Sequence, residues 1–196
     1  MIPKKIHQIW VGPNPIPKES IQFIEKIKHL HPEFEYKLWT DTDLTQENFT
    51  NFEIIQKTQS YAQKADIMRY EILYRHGGIY LDMDMEVFQS LAPLLTHSLI
   101  ICNEDNKKHY MTNAFIAASQ NNENMLRCIK NIRHVNFNLP VNQATGPYYF
   151  RRNILIDDTV RQLPTHFIYP VHWTQKDASP VLTNETYTNH HWDKNW

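Results

Sequence analysis

Four ionisable residues in one short stretch carry the strongest chemical signal in this chain. Within residues 61–88, YAQKADIMRYEILYRHGGIYLDMDMEVF, Asp66 and Arg69 stand three residues apart, and Asp82 and Asp84 are separated by a single methionine. Two carboxylates that close, at the mouth of an apolar run, suit a hard divalent cation that also carries phosphate oxygens, Mn²⁺ or Mg²⁺ by preference. An acid and a guanidinium on one helix face suit the hydroxyls of a sugar. The same residues also fit a plain helix–strand unit with an exposed acidic turn and a surface ion pair. Order separates the two readings, because the aspartate pair follows a strand, a Gly-Gly break and the helix that bears Asp66 and Arg69. Glu86, just beyond, reads as exposed.

The elements that must position these groups follow from local physics. Residues 62–75 are good helix formers without Gly or Pro, which predicts a helix with Asp66 and Arg69 on one face and Ala62, Ala65, Met68 and Ile72 as its apolar contacts. His76-Gly77-Gly78 is a helix stop, since glycine adopts the left-handed terminal conformation without strain. Ile79-Tyr80-Leu81 reads as a buried strand, and an extended continuation would send Asp82 and Asp84 to one side and Met83 and Met85 to the other.

Elsewhere the periodicity predicts strands over 5–10, 35–39, 98–102, 114–118 and 165–169, and helices over 17–30, 123–133 and 146–156, with the rest irregular. Strands alternating with helices predict one α/β domain over 1–196, with a mostly parallel sheet flanked by helices. A Gly/Pro-rich loop, Gly12 to Pro15, follows the first strand, where such folds often hold nucleotides.

Composition narrows the partners. With 41% hydrophobic and 21% charged residues, the 196-residue chain is globular and large enough for a full core. A net charge of −1 without a basic block argues against nucleic acid. Cys102 and Cys128 match no zinc spacing and read as buried free thiols. No segment approaches the roughly 20 apolar residues of a membrane span. The N-terminal residues lack a signal-type apolar region, so the expectation is a cytoplasmic protein with no integral membrane segment. The four glycines, Gly12, Gly77, Gly78 and Gly146, all fall in segments singled out on other grounds.

Other candidates are less specific. Trp10 ends the first strand, where an indole could stack on a nucleobase or pack in the core. Of His7 and Gln8, one is read as a structural hydrogen-bonding residue. Asn113 could read a sugar hydroxyl or simply make a turn. In Asn142-Gln143-Ala144-Thr145-Gly146-Pro147, Thr145 is read chiefly as a helix cap. The chain ends His190-His191-Trp192-Asp193-Lys194-Asn195-Trp196, and two tryptophans in the last five residues predict that this end folds back, over the site or into an apolar groove.

Taken together, IHQIW, the block ADIMRYEILYRHGGIYLDMD, TGP and the terminal HHWDKNW resemble glycosyltransferase family 32. This is the group of the yeast initiating mannosyltransferase, related to the large clostridial glucosylating toxins. The resemblance implies a GT-A-like (Rossmann-like) fold with a mixed, mostly parallel sheet, a nucleotide-sugar donor (UDP- or GDP-sugar), Mn²⁺ (or Mg²⁺) and retention of anomeric configuration. By position it implies that Trp10 stacks on the base, that Asp66 and Arg69 bind donor-sugar hydroxyls, and that Asp82 touches ribose and sugar. It implies that Asp84 ligates the metal, that Asn113 contacts the sugar, and that the terminal segment forms a lid over the diphosphate. Gln8, Gly146 and Trp196 join the donor-side candidates. His191 and Asn195, the latter standing where family members carry serine, join Asp82 and Asp84 as candidate metal ligands.

The expected reaction is transfer of a hexose from the nucleotide diphosphate sugar to a hydroxyl of a glycan or other acceptor. Clustered aspartates also fit a metal-dependent phosphoesterase, and the same pocket could serve a catalytically silent sugar-nucleotide or glycan-binding module. The acceptor is expected at the loops 103–110 and 136–143.

Overall fold

The computed structural model describes residues 1–105, 111–175 and 178–193. In chain order the elements are β1 (Lys5–Ile9), α1 (Lys18–Leu30), β2 (Glu35–Trp39), α2 (Phe52–Lys57), α3 (Tyr61–His76), β3 (Gly78–Leu81), β4 (Met85–Val87), β5 (Leu99–Asn103), β6 (Met111–Ala118), α4 (Glu123–Asn131), α5 (Val141–Ala144), α6 (Pro147–Asn153), β7 (Val160–Leu163), α7 (Thr165–Ile168) and β8 (Thr188–His190). Six strands form one sheet in the order β2-β1-β3-β6-β5-β7. Neighbours β1–β2, β1–β3 and β5–β7 are parallel, and β6 runs antiparallel to β3 and β5. A second sheet pairs β4 with β8 antiparallel.

The period of two along each strand divides the core. Tyr80, Leu99, Ile101, Ile116 and Ala118 pack with Ile67, Met68 and Leu73 of α3 and Met125 of α4. Their sequence neighbours Ile79, Leu81, Ile100, Cys102, Phe115 and Ala117 pack with Ile27 of α1 and Ile168 of α7. Helices thus cover both faces, and the central strands are apolar on both sides. Cys102 and Cys128 are buried free thiols, as expected.

Helix α3 is nearly enclosed. Residues 66–73 are all buried, including Asp66, Arg69 and Glu71. Glu71 is satisfied by the backbone amides of Thr50 and Asn51 and by the Asn51 side chain, which ties the start of α2 to α3. At the other end of α3, Gly77 (φ +62) and Gly78 (φ +103) turn the chain into β3. A β-carbon at Gly78 would lie 2.7 Å from the Lys5 carbonyl oxygen, so the stop is also a close approach of two strands.

His7 locks that junction. Its Nδ1 accepts from Trp39 Nε1 (3.2 Å), so its protonated Nε2 donates to the Gly77 carbonyl (2.9 Å). Burial drives its pKa down to about 4, from 6.5. A ring kept neutral in the fold but free to protonate when unfolded makes the fold lose stability as pH falls from about 6.5 toward 4. Urea denaturation between pH 7 and 4 should show a loss of roughly 3 kcal/mol from this ring, absent in His7→Asn. Equal slopes in the two proteins would refute the assignment.

Several sequence expectations are corrected. Residues 165–169 begin a short helix, not a strand, because Pro164 cannot continue the β7 ladder and instead fills the N-cap position. The helix expected over 146–156 is α6, preceded by the unexpected one-turn α5. Asp82 and Asp84 do not lie on an extended strand. They flank a turn closed by Met85 N–H to Asp82 O (3.1 Å), after which β4 leaves the main sheet for its pairing with β8. The C-terminal region, read as irregular, supplies that partner strand. Among the described residues no helix is long and apolar enough to cross a membrane.

Candidate active site

The buried face of α3 meets β6 and the turn after β3. Arg69 spans them: Nη2 reaches Asp66 Oδ1 (3.1 Å), and Nη1 reaches Asp82 Oδ1 (3.1 Å) and donates to the Asn113 carbonyl (2.6 Å). Its guanidinium lies 4.4 Å from the Tyr80 ring centroid, and the Tyr80 hydroxyl donates to Asp82 Oδ1 (2.7 Å). Burial disfavours the Arg69 charge, but Asp82, Tyr80 and Asp66 outweigh it.

Asp66 is held on every side. Asn113 Nδ2 donates to Oδ1 (2.7 Å) and Thr145 Oγ1 to Oδ2 (2.8 Å). Burial raises its pKa to about 6, against the opposing pull of Arg69 and Thr145. The carboxylate therefore sits in the fold at a cost above pH 6, which marks it as a candidate functional group.

The second cluster stands on the other side of Asp82. Asp82, Asp84 and His190 each offer a ligand atom, all within 4.8 Å of one another. His190 Nε2 lies 3.0 Å from Asp84 Oδ1, and the Asp193 amide donates to Asp84 Oδ2 (2.8 Å). That amide is aimed by a left-handed turn at Trp192 (φ +58). Burial pushes the Asp84 pKa up, but His190 and the Asp193 amide outweigh it and the net shift is down. Burial likewise opposes the His190 cation, and Asp84 reverses this. Two carboxylates and an imidazole form a donor set suited to Mn²⁺ or Mg²⁺, with Mn²⁺ favoured by the nitrogen. Asp82 Oδ2 has no hydrogen-bond partner among the described residues, so it is available to a cation or a ribose hydroxyl.

Both clusters open into one cavity of about 300 Å³, bordered at one end by Trp10, Val11, Gly12 and Tyr61. Trp10 Nε1 donates to the Asn14 carbonyl (2.7 Å), and the Gly12 amide to Asp41 Oδ2 (2.9 Å), which fixes the loop after β1. At Gly12 (φ +106) a β-carbon would come within 3.0 Å of the Tyr61 ring, so the loop lies tightly against that ring.

The sequence candidates divide accordingly. Trp10, Asp66, Arg69, Asp82, Asp84, Asn113 and Gly146 all line the cavity. Gln8 does not: it is fully buried, with Oε1 accepting from Tyr36 and Nε2 donating to the Asp82 carbonyl (3.1 Å), so it supports the aspartate turn. His191 is also corrected as a ligand. It faces away, stacked on Phe23 and 3.2 Å from Glu86 Oε2, while its neighbour His190 enters the cluster. Adjacent strand residues point to opposite sides, and pairing of Met85 with His190 decides which one faces Asp84. Glu86 is not exposed either; it bonds Lys26 and His191. Asn195 and Trp196 lie outside the described residues, as does part of the 103–110 loop.

Sequence reasoning missed His190, Tyr61 and Glu104. Glu104 lines the cavity just past β5, and burial followed by Asp105 pushes its pKa up to about 7. A lone glutamate after a strand carries no signal by type or spacing. Thr145, read as a cap, makes no capping bond to α6.

Comparison with known proteins agrees with this geometry. The family described as "Glycosyltransferase sugar-binding region containing DXD motif" matches residues 17–101, which include Asp66, Arg69 and the aspartate pair. The chain is 31% identical over 172 residues to inositol phosphoceramide mannosyltransferase 3 of Schizosaccharomyces pombe, covering 83% of this chain and 47% of that protein. The chain thus spans less than half of that relative's length. Among solved structures, the PaToxG glycosyltransferase superposes with a TM-score of 0.64 at 18% identity, covering 78% of this chain and 68% of that one. An active-site mutant of LgtC gives 0.55 at 10% identity, covering 96% and 87%. These likenesses establish the fold as GT-A. On that fold, with its aspartate pair facing the cavity, residues 17–101 of this chain match the glycosyltransferase sugar-binding region that contains the DXD motif.

Proposed function

We propose that this protein is a metal-dependent, retaining glycosyltransferase that moves a hexose from a UDP- or GDP-sugar to a hydroxyl of a glycan or other acceptor. The observation that carries the reading is the shared cavity: sugar-type contacts (Asp66, Arg69, Asn113) and a cation-type cluster (Asp82, Asp84, His190) meet at Asp82, with an aromatic rim at Trp10 and Tyr61. The nucleobase lies against Trp10, and the hexose hydroxyls meet Asp66 and Asn113. Asp84, His190 and Asp82 would hold Mn²⁺ (or Mg²⁺). The cation, when bound, neutralises the leaving diphosphate as a Lewis acid. Arg69 and its hydrogen bonds fix the sugar, so part of the barrier falls through positioning.

Retention without an enzymic nucleophile fits the carboxylates present. Asp66 is engaged through both oxygens and Asp84 through both of its own, so neither is poised for attack. The acceptor hydroxyl then attacks on the leaving-group face, and the departing phosphate takes its proton. The clustered hydrogen bonds and the match of residues 17–101 to a glycosyltransferase sugar-binding region favour this reading over the phosphoesterase and the silent binding module.

The test is nucleotide release with Mn²⁺ and GDP-mannose or UDP-glucose, with and without added acceptor. Similarity to a protein named as an inositol phosphoceramide mannosyltransferase makes GDP-mannose and inositol phosphoceramide the first pair to try. Acceptor-dependent nucleotide release is expected. Cleavage of the donor to nucleoside monophosphate and sugar 1-phosphate, independent of acceptor, would instead establish a phosphoesterase, and Mn²⁺-dependent donor binding without turnover a binding module.

A further inference from the structure

Asp66 is more constrained than a sugar-binding carboxylate needs to be. An ionised carboxylate offers about four acceptor sites. On Oδ1, Asn113 Nδ2 donates (2.7 Å) and the Arg69 guanidinium pairs at 3.1 Å; on Oδ2, Thr145 Oγ1 donates (2.8 Å). With the guanidinium against Oδ1, Oδ2 keeps one open site. It lies beside Gly146, where a β-carbon would stand 3.4 Å from that oxygen.

Thr145 is itself fixed. It is fully buried, its carbonyl accepts from the Tyr70 hydroxyl (2.7 Å), and the Tyr70 ring stacks on Phe150 with 4° between planes. Asn113 Nδ2 also reaches the Tyr70 oxygen (3.0 Å), so both amide hydrogens of Asn113 are committed. The loop between α5 and α6 thereby determines the direction in which Asp66 can accept. The hydroxyl makes no bond to the helix start it precedes.

We propose that Thr145 is the positioning residue for donor-sugar recognition: by occupying one acceptor site of Asp66 Oδ2, it leaves that carboxylate able to take one sugar hydroxyl, from one direction. This rests on the donor-binding reading above. The ligand class is a nucleotide-linked hexose with a hydroxyl directed at Oδ2. Without the Thr145 hydroxyl Oδ2 loses its fixed direction although Oδ1 stays held by Asn113 and Arg69, and the sugar loses its aligned partner while the nucleotide does not.

The experiment measures affinity for UDP against UDP-glucose and for GDP against GDP-mannose, with Mn²⁺, in wild type, Thr145→Val and Thr145→Ser. The readout is the gain in affinity from adding the sugar. In Thr145→Val that gain should fall about tenfold, in line with loss of a hydrogen bond to a charged group. Nucleotide diphosphate affinity should stay the same, and Thr145→Ser should restore the gain. An unchanged gain in the valine variant, even with a lowered melting temperature, means that Thr145 is only structural and overturns the proposal. No sugar-dependent gain in wild type that binds the nucleotide diphosphate overturns it as well. Failure of wild type to bind any of the four ligands is a different result, and removes the donor-binding reading with it.

Discussion

Arg69→Met should destabilise the fold by roughly 3–5 kcal/mol at pH 7, because it strips the one cation from between two buried carboxylates. The wild-type guanidinium lies 3.1 Å from both Asp66 and Asp82 and also bonds the Asn113 carbonyl, with a side chain only 6% exposed. Methionine keeps much of the volume and packing against Tyr80, so the loss isolates charge. The pH dependence supplies the sign. Asp66 is already raised to about 6 with Arg69 beside it; without the cation its pKa rises further. A carboxyl raised in the fold costs stability as pH climbs through that value, so the deficit of the variant should shrink on going from pH 7 to pH 5. Urea denaturation at the two pH values measures this. A deficit under 1 kcal/mol, or one that grows at pH 5, would show that the three charges are not coupled as the geometry indicates.

Asp84→Ala should abolish the binding of Mn²⁺ by the chain, lowering affinity at least about 100-fold, since a ligand lost outright exceeds the 10–100-fold typical of a supporting residue. The fold should survive, at a cost of about 1–3 kcal/mol for the unpaired Asp193 amide and His190 ring. The histidine pair provides the sharper contrast. His190→Ala should weaken Mn²⁺, while His191→Ala should leave it unchanged, because His191 bonds Glu86 and stacks on Phe23. Calorimetric titration with Mn²⁺ alone reads all three variants without any donor. The reverse order for the histidines would falsify the cluster as described.

Much of the candidate site was legible because its information is local. Asp66 and Arg69 share a face by helical period, and Gly77-Gly78 stops the helix by the conformation only glycine takes easily. The strand and aspartate pair then follow within a few residues, so α3, β3 and the turn need nothing distant to be recognised. A mostly parallel sheet was likewise implied by alternating elements, and its mixed character by the resemblance. The resemblance then drew in Trp10, Asn113 and Gly146, all of which line the cavity.

What sequence left open is non-local. Thr145 stands before a helix and reads as its cap; its partner, Asp66, is 79 residues away. Gln8 reads as a site residue by its place at the first strand, yet both ends of its amide are consumed by Tyr36 and the Asp82 carbonyl. In the His190-His191 pair, chemistry is identical and only direction differs. Residue types and local periods determined which groups suited to a sugar and a cation this protein has, and which short elements carry them. The tertiary structure decided which of those groups face one another. Pairing of β4 with β8 joins segments more than 100 residues apart, and a shift of one residue in that register would exchange the two histidines.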